Sequence, residues 1–200
     1  MAKIICFEGV HGSGKGTLIN ALLEEIEQNY IGRSAVIRDS EFSEFEQVKG
    51  RIRSGNLSNR DEIITTVADV RAQIYLDHID PQLEHLDLAL LDRSYYTSAV
   101  WQSDSVQSMY SVIAENERRG IPRADLTFIL SAPIRVIKER LILRRRNDLS
   151  EHDFTRIAEN RLKYLDLAEH CDECVLFDTI GEPRVLAKRV YNLIIANNAL

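Results

Sequence analysis

The glycine-rich segment at residues 9–17 constrains the fold more than any other part of the chain. It reads GVHGSGKGT and contains the G-x-x-x-x-G-K spacing of a phosphate-binding loop. An apolar run, Lys3–Glu8, precedes it and an amphipathic stretch to about Gln28 follows, which predicts the order strand, loop, helix. Glycines let consecutive backbone N–H groups turn toward an anion, and a helix N-terminus adds positive charge. We therefore predict that this loop binds a phosphorylated ligand, with Lys15 as a mobile cation for its terminal phosphates.

Short apolar runs alternate with long amphipathic stretches along the remaining chain. Further strands are predicted at residues 34–38, 86–91, 126–130 and 175–177. Helices are predicted at residues 41–53, 61–78 and 97–119, from Pro133, from about Glu151, and at 182–195. Strands joined by helices rather than hairpin turns favour a parallel sheet covered on both faces. The expected fold is α/β, a three-layer doubly wound five-stranded parallel sheet, in a single domain over residues 1–200.

The net charge and the length of the apolar runs indicate which classes of binding partner are not expected. The net charge is −6, from 25 basic and 31 acidic residues, which gives no general attraction for nucleic acid or an anionic membrane. The apolar runs are far shorter than the roughly 20 residues of a membrane-spanning helix. We expect no nucleic-acid or membrane partner and a cytoplasmic location.

Three cysteines are too few for a disulfide scaffold, which favours a reduced protein. Cys171 and Cys174 have the spacing of metal ligands, and His170 is adjacent, but no second cysteine pair accompanies them. Neither a zinc site nor a redox role is therefore expected here. The pair is predicted at a helix end or turn before a strand.

Six blocks spread over nearly the whole chain carry a resemblance to a known family. Three are specific: FEGVHGSGK at residues 7–15, LDRS at 91–94 with Thr97, Ser98 and Gln102 after it, and ADLTFIL at 124–130. Three are supportive: Arg38 at a strand end, ADVR at residues 68–71, and a basic stretch at 144–146 followed by Asn160-Arg161 and Tyr164-Leu165. Together these blocks resemble the thymidylate kinase family of P-loop nucleoside monophosphate kinases.

The resemblance implies phosphoryl transfer from ATP, accompanied by Mg²⁺, to a nucleoside monophosphate: dTMP and ATP would give dTDP and ADP. A homodimer is implied by the resemblance alone. The ATP-binding residues would be Gly9, Val10, His11, Gly12, Ser13, Gly14, Lys15, Gly16 and Thr17. The acceptor-binding residues would be Arg38, Arg71, Arg93 and Gln102. The catalytic residues would be Lys15, Asp92, Arg93, Arg144, Arg145 and Arg146.

A lid is expected around residues 144–152. Some members of the family carry an arginine at the place of Gly12, and this chain resembles those that supply lid arginines instead. Arg144, Arg145 and Arg146 diverge by about 100° from one to the next on a helix, so one or two of them would face the phosphoryl group. For each one, a solvated helix face is the alternative.

The metal ligands are less well defined by the sequence. Gly16 stands where a phosphate loop usually has a hydroxyl residue, and Thr17 comes one place later. Mg²⁺ would therefore be held mainly by phosphates and water, with Asp92 or Thr17 contributing through water.

Three departures from the family pattern concern the acceptor. His11 stands at an acidic place, Trp101 replaces a tyrosine, and Arg38 is not followed by Glu-Pro. Two alternatives therefore stay open. The first is a kinase of a nucleoside or other small metabolite, with Asp92 as its base. The second is a regulatory module that binds ATP with little transfer.

Overall fold

The computed structural model describes residues 2–38, 41–144 and 150–197. Five strands form one sheet in the order β2-β3-β1-β4-β5, and the pairs β2–β3, β1–β4 and β4–β5 run parallel. The strands are β1 Lys3–Glu8, β2 Ser34–Arg38, β3 Leu88–Asp92, β4 Leu126–Ser131 and β5 Cys174–Asp178. The predicted five-stranded parallel α/β fold is confirmed.

Helices connect the strands. They are α1 Lys15–Asn29, α2 Ser43–Arg53, α3 Arg60–Ile74, a π-helical turn Tyr75–Ile79, α4 Asp80–Leu83, α5 Tyr95–Gln102, α6 Val106–Arg118, α7 Ile134–Leu143, α8 Glu151–His170 and α9 Pro183–Ala196. Several begin at side-chain caps, which replace the missing intrahelical acceptors of the first turn. Asn59 accepts from Glu62 N at the start of α3. Ser150 and Asp153 cap each other's backbone N–H groups at the start of α8.

The prediction of a single helix over residues 97–119 is wrong, because α5 ends at Gln102 and a separate helix, α6, starts at Val106. Ser103 Oγ donates to Ala99 O at 2.6 Å, so this hydroxyl satisfies a carbonyl of the last turn of α5. Ser105 then caps α6 through a reciprocal pair with Ser108. Serine side chains compete in this way with continued helix, which the apolar periodicity alone does not reveal.

The chain divides into two compact units, the first made of Met1–Ile4 and Gly32–Ala124, the second of Ile5–Ile31 and Asp125–Leu200. In the first, Ile37, Leu83 and Ala89 belong to one buried cluster with Ala2 and Ile4. In the second, α1 packs on α9, and α8 packs on β4 and β5. A single domain over residues 1–200 stays a prediction. Among the described residues, no helix is long and apolar enough to cross a membrane.

Candidate active site

The phosphate loop joins β1 to α1 within the second unit, in the predicted order. Gly9 has φ 139°, and a Cβ built on it would lie 2.4 Å from Leu130 O. Only glycine allows this approach of the loop to β4, because any other residue would collide with backbone. Gly14 takes the left-handed conformation at the start of α1. The structure thus brings residues 9–17 together as one turn at the carboxyl end of β1.

Lys15 is buried, with 7% of its surface exposed. Its Nζ donates to Gly9 O at 2.5 Å and to Val10 O at 3.3 Å. The ammonium group is therefore tied to carbonyls of its own loop and does not extend into solvent. These bonds keep the positive charge inside the phosphate loop.

Arg140 is a loop-supporting residue that the sequence did not single out. Its Nη1 donates to Gly12 O at 3.3 Å, Ser13 O at 3.4 Å and Thr179 Oγ1 at 3.1 Å. Its Nη2 donates to Thr179 O at 2.7 Å. One guanidinium group thus connects α7, the loop and the segment after β5. A signal existed in the sequence, since Arg140 lies one helical turn before Arg144 and so shares its face.

Gly12 has no room for a side chain. Its φ is +80°, and an added Cβ would lie 3.0 Å from Leu141 Cγ and 3.1 Å from Ile137 Cγ2. Both neighbours are buried. An arginine at this place would therefore collide with α7, which agrees with the prediction that the loop contributes no arginine.

We expect Gly12→Ala to lower the melting temperature by several degrees, whereas Gly16→Ala leaves it unchanged or slightly raised. Overpacking against α7 costs about 1–3 kcal/mol, and the left-handed backbone adds to this cost. Gly16 has no atom within 4 Å of an added Cβ, so it is the matched control. Thermal unfolding followed by circular dichroism compares the two. Equal melting temperatures would contradict the packing argument.

Arg144 is the one lid arginine among the described residues. It is exposed, and its Nη2 donates to Thr17 Oγ1 at 3.5 Å. Arg145 and Arg146 lie outside the described residues, as do 147–149 of the expected lid. Ser150 donates to the Asp153 carboxylate from its side chain and its backbone N–H, and this lowers the pKa of Asp153.

A cavity of about 200 Å³ adjoins the phosphate loop in the second unit. One part of its wall comes from the start of α1, another from α7, and a third from the segment between β5 and α9. The lining residues are Gly14, Thr17, Leu18, Arg140, Arg144, Thr179, Gly181, Pro183 and Leu186. Apolar side chains and guanidinium groups together suit a planar, polar-edged ligand beside an anionic one.

The predicted acceptor residues lie in the first unit, and two of them, Arg38 and Arg93, lie with Asp92 at one end of β2 and β3. Arg38 ends β2 and Asp92 ends β3, and the two are partners in the parallel register. Arg93 follows directly. Arg38 Nη1 lies 3.4 Å from Glu41 Oε1, so this arginine already has an acidic neighbour. The carboxyl ends of β2 and β3 thus carry two arginines and one carboxylate.

Arg93 has an unusual backbone. Its φ is 86°, the one positive value at a non-glycine position among the described residues. For an L-residue this conformation costs about 1–2 kcal/mol. The side chain is held by a hydrogen bond from Nη1 to Thr97 Oγ1 at 3.2 Å. Strain of this kind persists where surrounding structure enforces it, and it is concentrated at functional sites.

Arg71 and Gln102 lie on facing helices of the first unit. Arg71 is buried, with 7% of its surface exposed. Its Nη2 donates to Ser98 Oγ at 3.2 Å, and its guanidinium carbon lies 4.7 Å from the centre of the Phe45 ring. Gln102 is one turn beyond Ser98 on α5. Its Oε1 is buried and has no hydrogen-bond partner within the part of the chain that the structure describes.

The segment that holds Gln102 in place was not anticipated from the sequence. Arg60, at the start of α3, donates from Nε to Gln102 O at 3.2 Å and also pairs with Asp104. Its Nη2 donates to Ser108 Oγ at 3.2 Å. Arg60 of α3 therefore holds the segment between α5 and α6 in place.

Comparison with known proteins gives consistent matches. A family model described as Thymidylate kinase matches residues 7–188. A thymidylate kinase of Leptospira borgpetersenii serovar Hardjo-bovis (strain L550) is 28% identical over 163 residues, 79% of this chain and 80% of that protein. A probable thymidylate kinase 1 of Saccharolobus solfataricus is 28% identical over 193 residues, which cover 95% and 96% of the two chains. A thymidylate kinase of Fervidobacterium nodosum is 22% identical over 198 residues, 94% of this chain and 98% of that protein.

Proposed function

Because the chain belongs to the thymidylate kinase family, as the match over residues 7–188 shows, we propose that it transfers the γ-phosphoryl group of ATP to dTMP. It is a phosphotransferase of the nucleoside monophosphate kinase class. The observation that carries the proposal is a phosphate loop with Lys15 enclosed in it, in a chain that matches this family over nearly its whole length.

An assay of ADP formation over a panel of monophosphates and nucleosides tests the proposal. Turnover greatest with dTMP is the expected result. Turnover greatest with a nucleoside would favour the alternative with Asp92 as base, and ATP binding without turnover would favour a regulatory module.

The donor side of the proposal rests on the second unit. The backbone N–H groups of residues 9–17 and the positive end of α1 would bind the β- and γ-phosphates, with Lys15 neutralising their charge. The purine of ATP would occupy the cavity between Arg140, Thr179 and the start of α9. Guanidinium groups stack well on planar rings, and the Leu18 and Leu186 side chains supply apolar contact.

Mg²⁺ is part of the proposal as the partner of ATP, where it would neutralise phosphate charge. Asp92 fits this role, because its half-buried carboxylate at the end of β3 offers the oxygen donor that Mg²⁺ prefers. Thr17 fits less well, because the cationic Arg144 already donates to its hydroxyl group. We therefore favour Asp92, acting through water, over Thr17.

The acceptor side rests on the first unit. Arg93 would hold the phosphate of the monophosphate with two parallel hydrogen bonds, with Arg38 beside it at the same edge. Arg71 and Gln102 would contact the base. The Oε1 of Gln102, buried and without a hydrogen-bond partner among the described residues, supports this role, since a buried acceptor is costly until a ligand satisfies it. Trp101 is half-buried near this end of α5, and His11 in the second unit is exposed and has no role in the proposal.

The lid would supply the positive charge that the phosphate loop does not bring to the transferring phosphoryl group. Gly12 excludes an arginine by packing, so one or two of Arg144, Arg145 and Arg146 would neutralise the transferring phosphoryl group. Closure would also exclude water, which prevents ATP hydrolysis without acceptor. A single catalytic domain, a homodimer and a cytoplasmic location complete the proposal.

We expect Arg93→Ala to weaken dTMP binding about 10- to 150-fold, the equivalent of about 1.5–3 kcal/mol for lost charge-assisted hydrogen bonds. ATP binding should change far less. Isothermal titration with each ligand separately measures both constants. Arg33→Ala is the matched control, because Arg33 is exposed at the amino end of β2, away from the edge that carries Arg93. Equal weakening of both ligands would remove Arg93 from the acceptor side.

A further inference from the structure

The junction between α8 and β5 brings together three side chains of types that bind metal ions, and the proposed phosphotransferase site uses none of them. Cys171 Sγ, Cys174 Sγ and a carboxylate oxygen of Glu173 all lie within 4.8 Å of one another. The cluster belongs entirely to the second unit. The sequence did not predict a site here, because no second cysteine pair accompanies Cys171 and Cys174.

The backbone fixes the positions of both cysteines. Cys171 N donates to Leu167 O at 3.0 Å and ends α8, and Cys174 N donates to Cys171 O at 2.9 Å. The second bond closes a tight turn over residues 172 and 173. Cys174 is also the first residue of β5 and is paired to β4. Both thiols therefore project from well-anchored backbone at one end of a turn.

The observed spacing is close to what tetrahedral zinc requires. Zinc–sulfur bonds of about 2.3 Å and zinc–oxygen bonds of about 2.1 Å place neighbouring ligand atoms about 3.6–3.8 Å apart. Ligand atoms within 4.8 Å reach these separations through side-chain movements of about 1 Å or less. Three protein ligands would leave the fourth position to water.

The electrostatic surroundings favour a cation. The C-terminal end of α8, a 20-residue helix, carries the negative pole of its dipole at Cys171. The sequence from 169 to 174 contributes Glu169, Asp172 and Glu173, against the single imidazole of His170. Two thiolates would add further negative charge that a divalent ion neutralises.

A buried hydroxyl group lies on the same face of the sheet as Cys174 and also as Cys6, the register partner of Thr127 on β1. Thr127 is the register partner of Cys174 across β4 and β5, so both side chains leave the sheet on the same face. Thr127 is fully buried, and its Oγ1 has no hydrogen-bond partner within the described ranges. A metal-bound thiolate is a stronger acceptor than a thiol, and hydroxyl groups that donate to such sulfur atoms are typical of the surroundings of metal ligands.

We propose that Cys171, Glu173 and Cys174 bind one zinc ion that fastens the end of α8 to the start of β5. The ligand set mixes thiolate with carboxylate, which suits zinc better than the hard cation that accompanies ATP. The site is separate from phosphoryl transfer, so it stands or falls independently of the proposed function.

Titration of the full chain with Cd²⁺, a spectroscopic substitute for zinc, tests the proposal in a non-thiol reductant. The expected result is one ion per chain, with the ultraviolet charge-transfer band of two thiolates, and its displacement by Zn²⁺. Cys171→Ser should weaken binding at least 100-fold, and Glu173→Gln about 10- to 100-fold. Cys6→Ala is the matched control, because it removes the remaining thiol of the chain and keeps all three ligands.

Thermal unfolding supplies a second measurement. Zinc at 100 times its dissociation constant should raise the melting temperature of the wild type and of Cys6→Ala by about 5–10 °C, with no shift for Cys171→Ser. A wild type without a charge-transfer band would overturn the proposal. The same holds for unchanged binding in Cys171→Ser.

Discussion

Lys15→Ala lowers the turnover number with ATP and dTMP by about 10³-fold or more, the expected scale when an enzyme loses a full positive charge that stabilises the transition state. The lysine would exchange its bonds with Gly9 O and Val10 O for bonds with phosphate oxygens once ATP is bound. Its removal takes charge from the site and also leaves two loop carbonyls without this donor. We therefore expect a stability loss of about 1–3 kcal/mol besides the loss of activity.

Steady-state turnover and urea unfolding of the same preparations separate the two effects. Lys188→Ala is the control, because Lys188 is an exposed lysine of α9 in the same unit. It should retain wild-type turnover and stability. A Lys15→Ala protein with wild-type turnover would remove the donor site from residues 9–17.

Replacing Arg144, Arg145 and Arg146 together with glutamine lowers the rate of the chemical step by about 10³-fold or more, the range known for arginine fingers. The physical reason lies at Gly12, where packing against Ile137 and Leu141 leaves no space for an arginine from the loop. Charge on the transferring phosphoryl group must then be neutralised from the end of α7. ATP affinity should change less, since the interaction is strongest in the transition state.

Single-turnover measurement with saturating ATP isolates the chemical step. Arg135→Gln, on the exposed face of α7, is the control and should leave the rate unchanged. Arg144→Gln alone should reproduce only part of the triple effect. An unchanged chemical rate in the triple variant would return these arginines to a solvated helix face.

The fold was predictable from the sequence wherever a short run of neighbouring residues determines the element. The bounds of β1 and β2 follow directly from short apolar runs flanked by loop residues, and the phosphate loop from its glycine spacing. Ser103 broke a predicted helix because its hydroxyl bonds back to Ala99 O, a competition that hydrophobic periodicity does not record.

The site was predictable in its residue types and less so in its contacts. Arg140 was missed because its four acceptors lie on two segments, residues 12–13 and Thr179, that are both distant from it in sequence. Likewise, the burial of Lys15 and Arg71 follows from the packing of loops and helices around them, and neither a motif nor a charge count contains that information. Sequence motifs therefore predict which residue types take part in the reaction. The burial and hydrogen bonds of each side chain depend on tertiary contacts, which the motifs do not contain.

The backbone of Arg93 has a consequence for the history of this protein. Glycine adopts φ 86° without steric strain, so Arg93→Gly would relieve about 1–2 kcal/mol of backbone strain, of which the greater entropy of glycine in the unfolded chain offsets about 0.4–1 kcal/mol. The substitution would also remove the side chain proposed to hold the acceptor. Laboratory evolution that selects only for heat resistance should accumulate this substitution. The resulting enzymes should have a higher melting temperature and a lower turnover number. Arg93 would then be retained only under continuous selection for activity, because it lowers stability at the position where it serves function.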